Sequence, residues 1–205
     1  MGNHIRDYEQ IFEDANTSFL KKNKMLFEAQ VSERTLCGAL MIEIYERLKN
    51  TNYFQYFVDV EYNRNYDGRI KTMKQKMDDE SDEKIVKINC DIIVHGRGEN
   101  VNPENLIAIE MKKSTAKRGD RDNDRSRLEG LTKELEKGVW LYGGGKYPKH
   151  VCGYGLGVYY EINFKKKNIL VEYYRNGSCY HKYLIKWNKL FQYEVCSLYT
   201  KCQSK

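Results

Sequence analysis

From Ser32 to Lys49 the apolar side chains return at helical intervals. Leu36, Cys37, Leu40, Met41, Ile44, Tyr45 and Leu48 make one stripe, the mark of a helix lying on a core. Ser32 stands where an N-cap belongs, so the pattern predicts a helix ending near Lys49. Upstream, residues 5–29 read as an N-terminal helical arm. Downstream the period changes. YFQYFVDVEY (53–62) is aromatic and β-branched with partial alternation, which predicts a strand. Residues 63–83, with Gly68 and DDESDE, read as an exposed loop or hairpin excursion. From Lys84 the alternation sharpens: Val86, Ile88, Cys90, Ile92 and Val94 take one face, and Lys87, Asn89, Asp91 and His95 the other. HGRGENVNPEN (95–105) is a turn-rich connection, and Leu106–Lys112 is a further strand. Asp122 or Asp124 is placed to cap a helix carrying Leu128, Leu131, Leu135 and Val139. A strand follows around Val151–Ile162. Its Gly153, Gly155 and Gly157 fall on one face and leave room there for a packed helix. Asn176-Gly177 then suits a type I′ hairpin turn.

This order predicts an α/β fold, a mixed central sheet with flanking helices built as α-β-β-β-α-β plus a C-terminal β-hairpin. At 205 residues the chain fits a single domain, with an arm over 1–30, a core over 31–162 and a hairpin and tail over 163–205. No stretch approaches the roughly 20 apolar residues of a membrane span. The polar, acidic start is no signal peptide. Both features point to a soluble, cytoplasmic chain that does not engage membranes.

The six cysteines and four histidines are scattered, without C-x-x-C or H-x-x-x-H spacing. They read as reduced thiols and isolated imidazoles rather than a zinc site. The net charge of +6 suits a polyanionic partner, and its distribution says more than its size. Lys112, Lys113, Lys117, Arg118, Arg121, Arg125 and Arg127 follow one strand directly. Lys165–Lys167 and KTMKQK (71–76) are smaller clusters. YGGGK (142–146) lacks the full phosphate-loop pattern and reads as a helix-ending turn.

Side chains two apart on a strand share a face, so Glu110 and Lys112 emerge together while Met111 points the other way. Asp91 lies on the polar face of the preceding strand. If the two strands pair, as consecutive strands usually do, both carboxylates and the ammonium converge. Two carboxylates suit Mg²⁺ (or Mn²⁺), which prefers oxygen ligands and keeps waters and a phosphate oxygen. Such an ion activates water for attack on a phosphodiester, and Lys112 beside it would position or help deprotonate that water and offset developing charge. Glu33 lies in line with the apolar stripe of its helix and so points towards the sheet. It is equally a first-turn acid favoured by the helix dipole.

Glu33, Asp91 and Glu110-Met111-Lys112, in this order and on these elements, resemble the PD-(D/E)XK nuclease superfamily with its restriction-endonuclease-like fold. The blocks VDVEYNR (58–64), DIIVHGRG (91–98) and LIAIEMKKS (106–114) are similar to a bacterial branch of it, over about residues 31–160. The resemblance implies a metal held by Asp91, Glu110 and the Met111 carbonyl, Lys112 as catalytic lysine and Glu33 as an outer contact. The family often has proline before the aspartate, where this chain has Cys90. The expected activity is metal-assisted hydrolysis of nucleic acid, DNA ahead of RNA, by an endonuclease that could work as a homodimer. Arg64, Lys113, Lys117, Arg118, Arg121 and Arg125 would touch phosphates. The competing expectation is a non-catalytic nucleic-acid-binding or partner-binding module of the same fold.

Overall fold

The computed structural model describes residues 2–61, 72–76, 83–87, 90–99, 101–134, 152–188 and 192–197. The arm is helical: α1 spans Gly2–Lys22 and α2 Lys24–Glu28. Tyr8, Ile11, Phe12, Ala15 and Phe19 recur at intervals of three and four and are buried, so α1 lays one stripe on the core. Helix α3 runs Glu33–Leu48, and Ser32 Oγ accepts the Thr35 N–H at 3.2 Å. The predicted stripe holds for Leu36, Cys37, Leu40, Ile44 and Leu48, all buried. Tyr45 is 44 % exposed and carries the Lys49 ammonium over its ring.

The strands are β1 (Phe57–Val60), β2 (Thr72–Lys76), β3 (Glu83–Lys87), β4 (Ile92–His95) and β5 (Asn105–Lys113). After α4 (Arg118–Leu131) come β6 (Leu156–Asn163), β7 (Asn168–Arg175), β8 (Ser178–Trp187) and β9 (Tyr193–Ser197). Seven strands form one mostly antiparallel sheet in the order β1-β4-β5-β6-β7-β8-β9, while β2 and β3 pair as a separate hairpin. The parallel neighbours are β5 and β6, joined through α4, as a parallel pair requires a crossover. At the β7–β8 turn Asn176 and Gly177 have φ of 51° and 77°, the two left-handed residues of a type I′ turn. The expected terminal hairpin is therefore a three-strand extension, because part of the tail adds β9.

The sheet separates two layers. On one face Ile92, Val94, Ile107, Ile109, Met111, Val158, Tyr160 and Val171 pack with α1 and α3. On the other, Ile93, Ala108, Tyr159 and Tyr174 pack with Leu128 and Leu131 of α4. Tyr160 donates to Asn16 Oδ1 at 2.8 Å and Tyr183 to Glu13 Oε1 at 2.5 Å. These bonds tie α1 to the sheet and satisfy phenols that burial would otherwise strand.

Three expectations change. The alternation of residues 84–95 is not one strand: β3 belongs to the separate hairpin, and the chain bends at Asp91 before β4 begins. The glycines do not share a face. A Cβ on Gly155 would meet Tyr8 of α1 at 2.4 Å, whereas one on Gly157 would meet Thr132 at 2.9 Å, beyond the end of α4. Asp122 and Asp124 lie inside α4, whose cap position is Lys117. Leu135, Val139 and the YGGGK turn lie outside the described residues.

Candidate active site

Strand register sets the site. Ile92 on β4 faces Ile109 on β5, which brings Asp91 level with Glu110. The bend at Asp91 takes it off the ladder, and its Oδ2 accepts the Met111 N–H at 2.8 Å. Glu110 and Lys112 point to the α4 layer. Met111 points to the α3 layer, where it accepts the Cys37 thiol at 3.7 Å. The first-turn acid of α3 also reaches β5: Glu33 Oε1 accepts the Lys113 N–H at 2.7 Å. Alternation groups Cys90 with Ile92, but the bend breaks that count. Cys90 packs with Ile93 and Ala108 under α4, and its thiol donates to Glu110 Oε1 at 3.2 Å.

Two residues that the sequence reading left out of the site complete it. Arg127 on α4 donates to Glu110 Oε1 at 2.5 Å and to Asp124 Oδ1 at 3.2 Å. The Lys112 ammonium lies 3.2 Å from Asp124 Oδ2 and 3.8 Å from Glu33 Oε2. The contact with Asp124 is a close ion pair rather than an aligned hydrogen bond, since Oδ2 is buried with no well-directed donor. A helix begun at Arg118 puts Asp124, Arg127, Leu128 and Leu131 on one inward face at intervals of three and four. Beginning it at Asp122 or Asp124 hid that.

The cluster carries more acidic than basic groups. Glu33, Asp91, Glu110 and Asp124 supply four carboxylates, and Lys112 and Arg127 two cations. The Lys113 ammonium turns away to the Gln30 carbonyl, 3.0 Å distant. Burial, only partly offset by Arg127, pushes the Glu110 carboxyl up to about 8. Burial also raises Asp91 against the pull of the Met111 N–H, and raises Asp124 against Lys112. For Lys112, burial alone would favour the neutral amine. Asp124, Asp91 and Glu33 outweigh it and hold the ammonium above its ordinary range.

An open cleft of about 530 Å³ adjoins this cluster on the α3 side, lined by Glu33, Arg34, Cys37, Asp91 and Lys113 among others. Arg34 makes a two-pronged pair with Glu61 across it. Glu110 and Lys112 do not line this cleft; they lie towards α4. Asp91 Oδ1 takes no hydrogen bond from the described residues, which leaves one oxygen of that carboxylate available on the cleft side.

The residues predicted to touch phosphate divide. Arg125 pairs with Glu172 at 2.7 Å and Glu161 at 3.5 Å and stacks on the Tyr159 ring. Arg121 pairs with Glu161 at 3.2 Å. Both guanidiniums are held against the sheet by carboxylates of β6 and β7. Arg118 is exposed with a loose partner in Asp122, and Lys117 is exposed. Arg64 lies outside the described residues.

Among the described residues no three His, Cys, Asp or Glu side chains are gathered as a ready cage for a metal ion. The donor chemistry still suits a hard cation. Asp91, just before β4, and Glu110 on β5 offer carboxylate oxygens, in a cluster with more acidic than basic groups. No described helix is long and apolar enough to cross a membrane. Comparison of the chain with known families, curated proteins and solved structures finds no match.

Proposed function

We propose that the chain is a metal-dependent nuclease that hydrolyses phosphodiester bonds, acting as a DNA endonuclease on a restriction-endonuclease-like core. The strand order supports this reading. Helix α3, antiparallel β1, β4 and β5, the crossover α4 and parallel β6 follow one another as α-β-β-β-α-β, with β2–β3 inserted. The observation that carries the proposal is the junction of Asp91, Glu110 and Lys112 at one end of β4 and β5, beside an open cleft.

Bound Mg²⁺ or Mn²⁺ would polarise the scissile phosphate and supply an activated water. The remaining work falls to the chain's own groups. Asp91 is oriented by the Met111 N–H, and Glu110 is fixed by its strand. Lys112 is kept protonated by Asp124, Asp91 and Glu33, so its part is that of a cation facing the negative charge that builds on the phosphate, rather than a base. Lys113 and Arg34 line the cleft where the flanking phosphates would lie.

One observation favours a second reading. Arg127 occupies Glu110 Oε1, as a structural ion pair would in a nucleic-acid-binding or partner-binding module without turnover. Incubating plasmid, single-stranded DNA and RNA with the protein in Mg²⁺ or Mn²⁺ separates the two. The nuclease reading expects cleavage that EDTA and Lys112→Ala abolish. Salt-sensitive DNA binding with no cleavage would select the binding module.

A further inference from the structure

The turn between β6 and β7 carries the Lys165–Lys167 cluster, which the nuclease site leaves unused. All three lysines are exposed, and none is in an ion pair with a described residue. The arginines of α4 differ, since Arg121, Arg125 and Arg127 each sit on a carboxylate of the sheet. Three adjacent like charges repel one another, so a turn that holds them needs bracing. Asn163 Oδ1 accepts the Lys166 N–H at 2.8 Å, and the Lys167 carbonyl accepts the Trp187 N–H at 3.1 Å. Lys167 has a φ of 50°, a left-handed conformation that a side chain other than glycine adopts at a cost. The lysines are thus carried on a built turn.

Its place matters as much as its charge. Ser114, just after β5, donates its N–H to the Ile162 carbonyl of parallel β6 at 2.9 Å, so the turn and the end of β5 leave the sheet together. Lys113, which lines the cleft, holds its ammonium 5.5 Å from the centre of the Phe164 ring. Phe164 opens the turn and packs inward against Phe27 and Trp187. Cleft, Lys113 and lysine turn therefore form one continuous border. At about 3.3 Å per strand residue from the level of Glu110, the turn lies on the order of 15 Å from Asp91. That reach spans roughly four phosphates of one DNA strand, at about 3.4 Å each along the helix axis.

We propose that the Lys165–Lys167 turn grips the phosphate backbone of DNA whose scissile bond lies at the cleft, several nucleotides away. The proposal rests on the nuclease reading, which supplies the chemistry of the partner. An anionic bilayer suits the turn less well. Its one aromatic side chain, Phe164, faces the core, so no apolar group is left beside the lysines to enter a membrane surface. Ammonium groups on phosphates read no bases, so the turn adds affinity for any sequence and fixes the direction in which the strand leaves the cleft.

The test is the fluorescence anisotropy of a labelled DNA duplex longer than this reach, titrated with the full-length protein in EDTA over a range of NaCl concentrations. Each lysine that neutralises one phosphate contributes about 0.9 to the log–log salt slope. Lys165→Gln/Lys166→Gln/Lys167→Gln should therefore lower the slope by about 2 to 3 and weaken binding about tenfold or more. Lys49→Gln/Lys133→Gln/Arg175→Gln removes the same charge at the far ends of α3, α4 and β7, and should leave the slope near that of the parent. Equal losses in the two triple variants would show an effect of net charge alone and overturn the proposal. A folded turn variant that binds as the parent does also overturns it, and if that variant still cuts DNA in Mg²⁺ the nuclease reading stands. Binding that is lost with the turn, by a parent that never cuts, keeps the backbone contact and sinks the nuclease reading. Capture of phosphatidylserine vesicles in place of DNA, lost in the turn variant, overturns the proposal in favour of a lipid surface. Should the triple turn variant fail to fold by circular dichroism, Lys165→Gln/Lys166→Gln leaves the left-handed Lys167 intact. A slope lower by about 2 then supports the proposal, and an unchanged slope overturns it.

Discussion

Replacing Glu110 by glutamine should flatten the pH dependence of folding. The folded carboxyl is pushed up to about 8 from an ordinary value of 4.5, chiefly by burial. A carboxyl raised on folding binds its proton more tightly in the native state. Its stabilising effect is complete below the ordinary value and disappears as pH rises through the folded one. Each pH unit inside that window is worth about 1.4 kcal/mol, so pH 5 to 8 spans on the order of 4 kcal/mol for this group alone. Asp91 and Asp124 are also raised and act in the same direction. Urea unfolding in EDTA, followed by tryptophan fluorescence at pH 5, 6, 7 and 8, reads the effect. The parent should lose stability steadily across the series. Glu110→Gln keeps an acceptor for Arg127 but has no proton to lose, and should show a clearly shallower decline. Mg²⁺ should restore the parent at pH 8 and not the variant. Parallel curves for the two proteins in EDTA would refute the reasoning, because Glu110 would then be adequately compensated in the cation-free fold.

Arg125→Ala should act on stability rather than on DNA affinity. It strips Glu172 of its guanidinium partner and leaves Glu161 with Arg121 alone; these side chains are only 11 % and 12 % exposed, so the cost is about 2 kcal/mol, below the range for fully buried pairs. Thermal melting should drop accordingly, while the salt slope of DNA binding stays that of the parent. Gly157→Ala would place a Cβ 2.9 Å from Thr132 Cγ2 and 3.0 Å from Tyr174 Cβ. It should destabilise by about 1–3 kcal/mol through overpacking, measurable as a lower urea midpoint with an unchanged slope.

The elements legible in the sequence are those whose burial is one-sided and whose ends carry local signals. Helix α3 could be placed because Ser32 caps it and its inward positions are apolar. The β7–β8 turn could be placed because few pairs other than Asn-Gly tolerate two left-handed residues. Interior β5 was readable as a continuous apolar run interrupted by Glu110. Periodicity failed where the chain changes sheet. The count running from Val86 to Val94 assumes one unbroken strand, whereas β3 lies in a separate hairpin and a bend at Asp91 puts Cys90 out of step with β4. Cys90 was therefore assigned to the wrong layer. The glycines misled for a related reason: Gly155 precedes β6 and meets α1, so its parity with Gly157 carries no meaning.

Asp124, Arg127 and the inward turn of Arg121 and Arg125 were hidden by something else. A helix of sequence RGDRDNDRSRLEGL has few apolar residues to mark its buried face, and its density of charge suggests a solvated element. Yet the sheet beneath it presents Glu110, Lys112, Glu161 and Glu172, so the face complementary to that sheet is itself charged. Hydrophobic periodicity cannot find such a helix; pairing its charges with those of the strands below can. The basic run after β5 then ceases to be one patch. Arg121, Arg125 and Arg127 neutralise carboxylates of the sheet, and Lys113, Lys117 and Arg118 are left as the candidates for contact with a polyanion. The same division explains how one short segment could both hold the site together and meet a substrate. Its inward arginines keep buried acids in place, while its outward cations stay hydrated and readily exchanged.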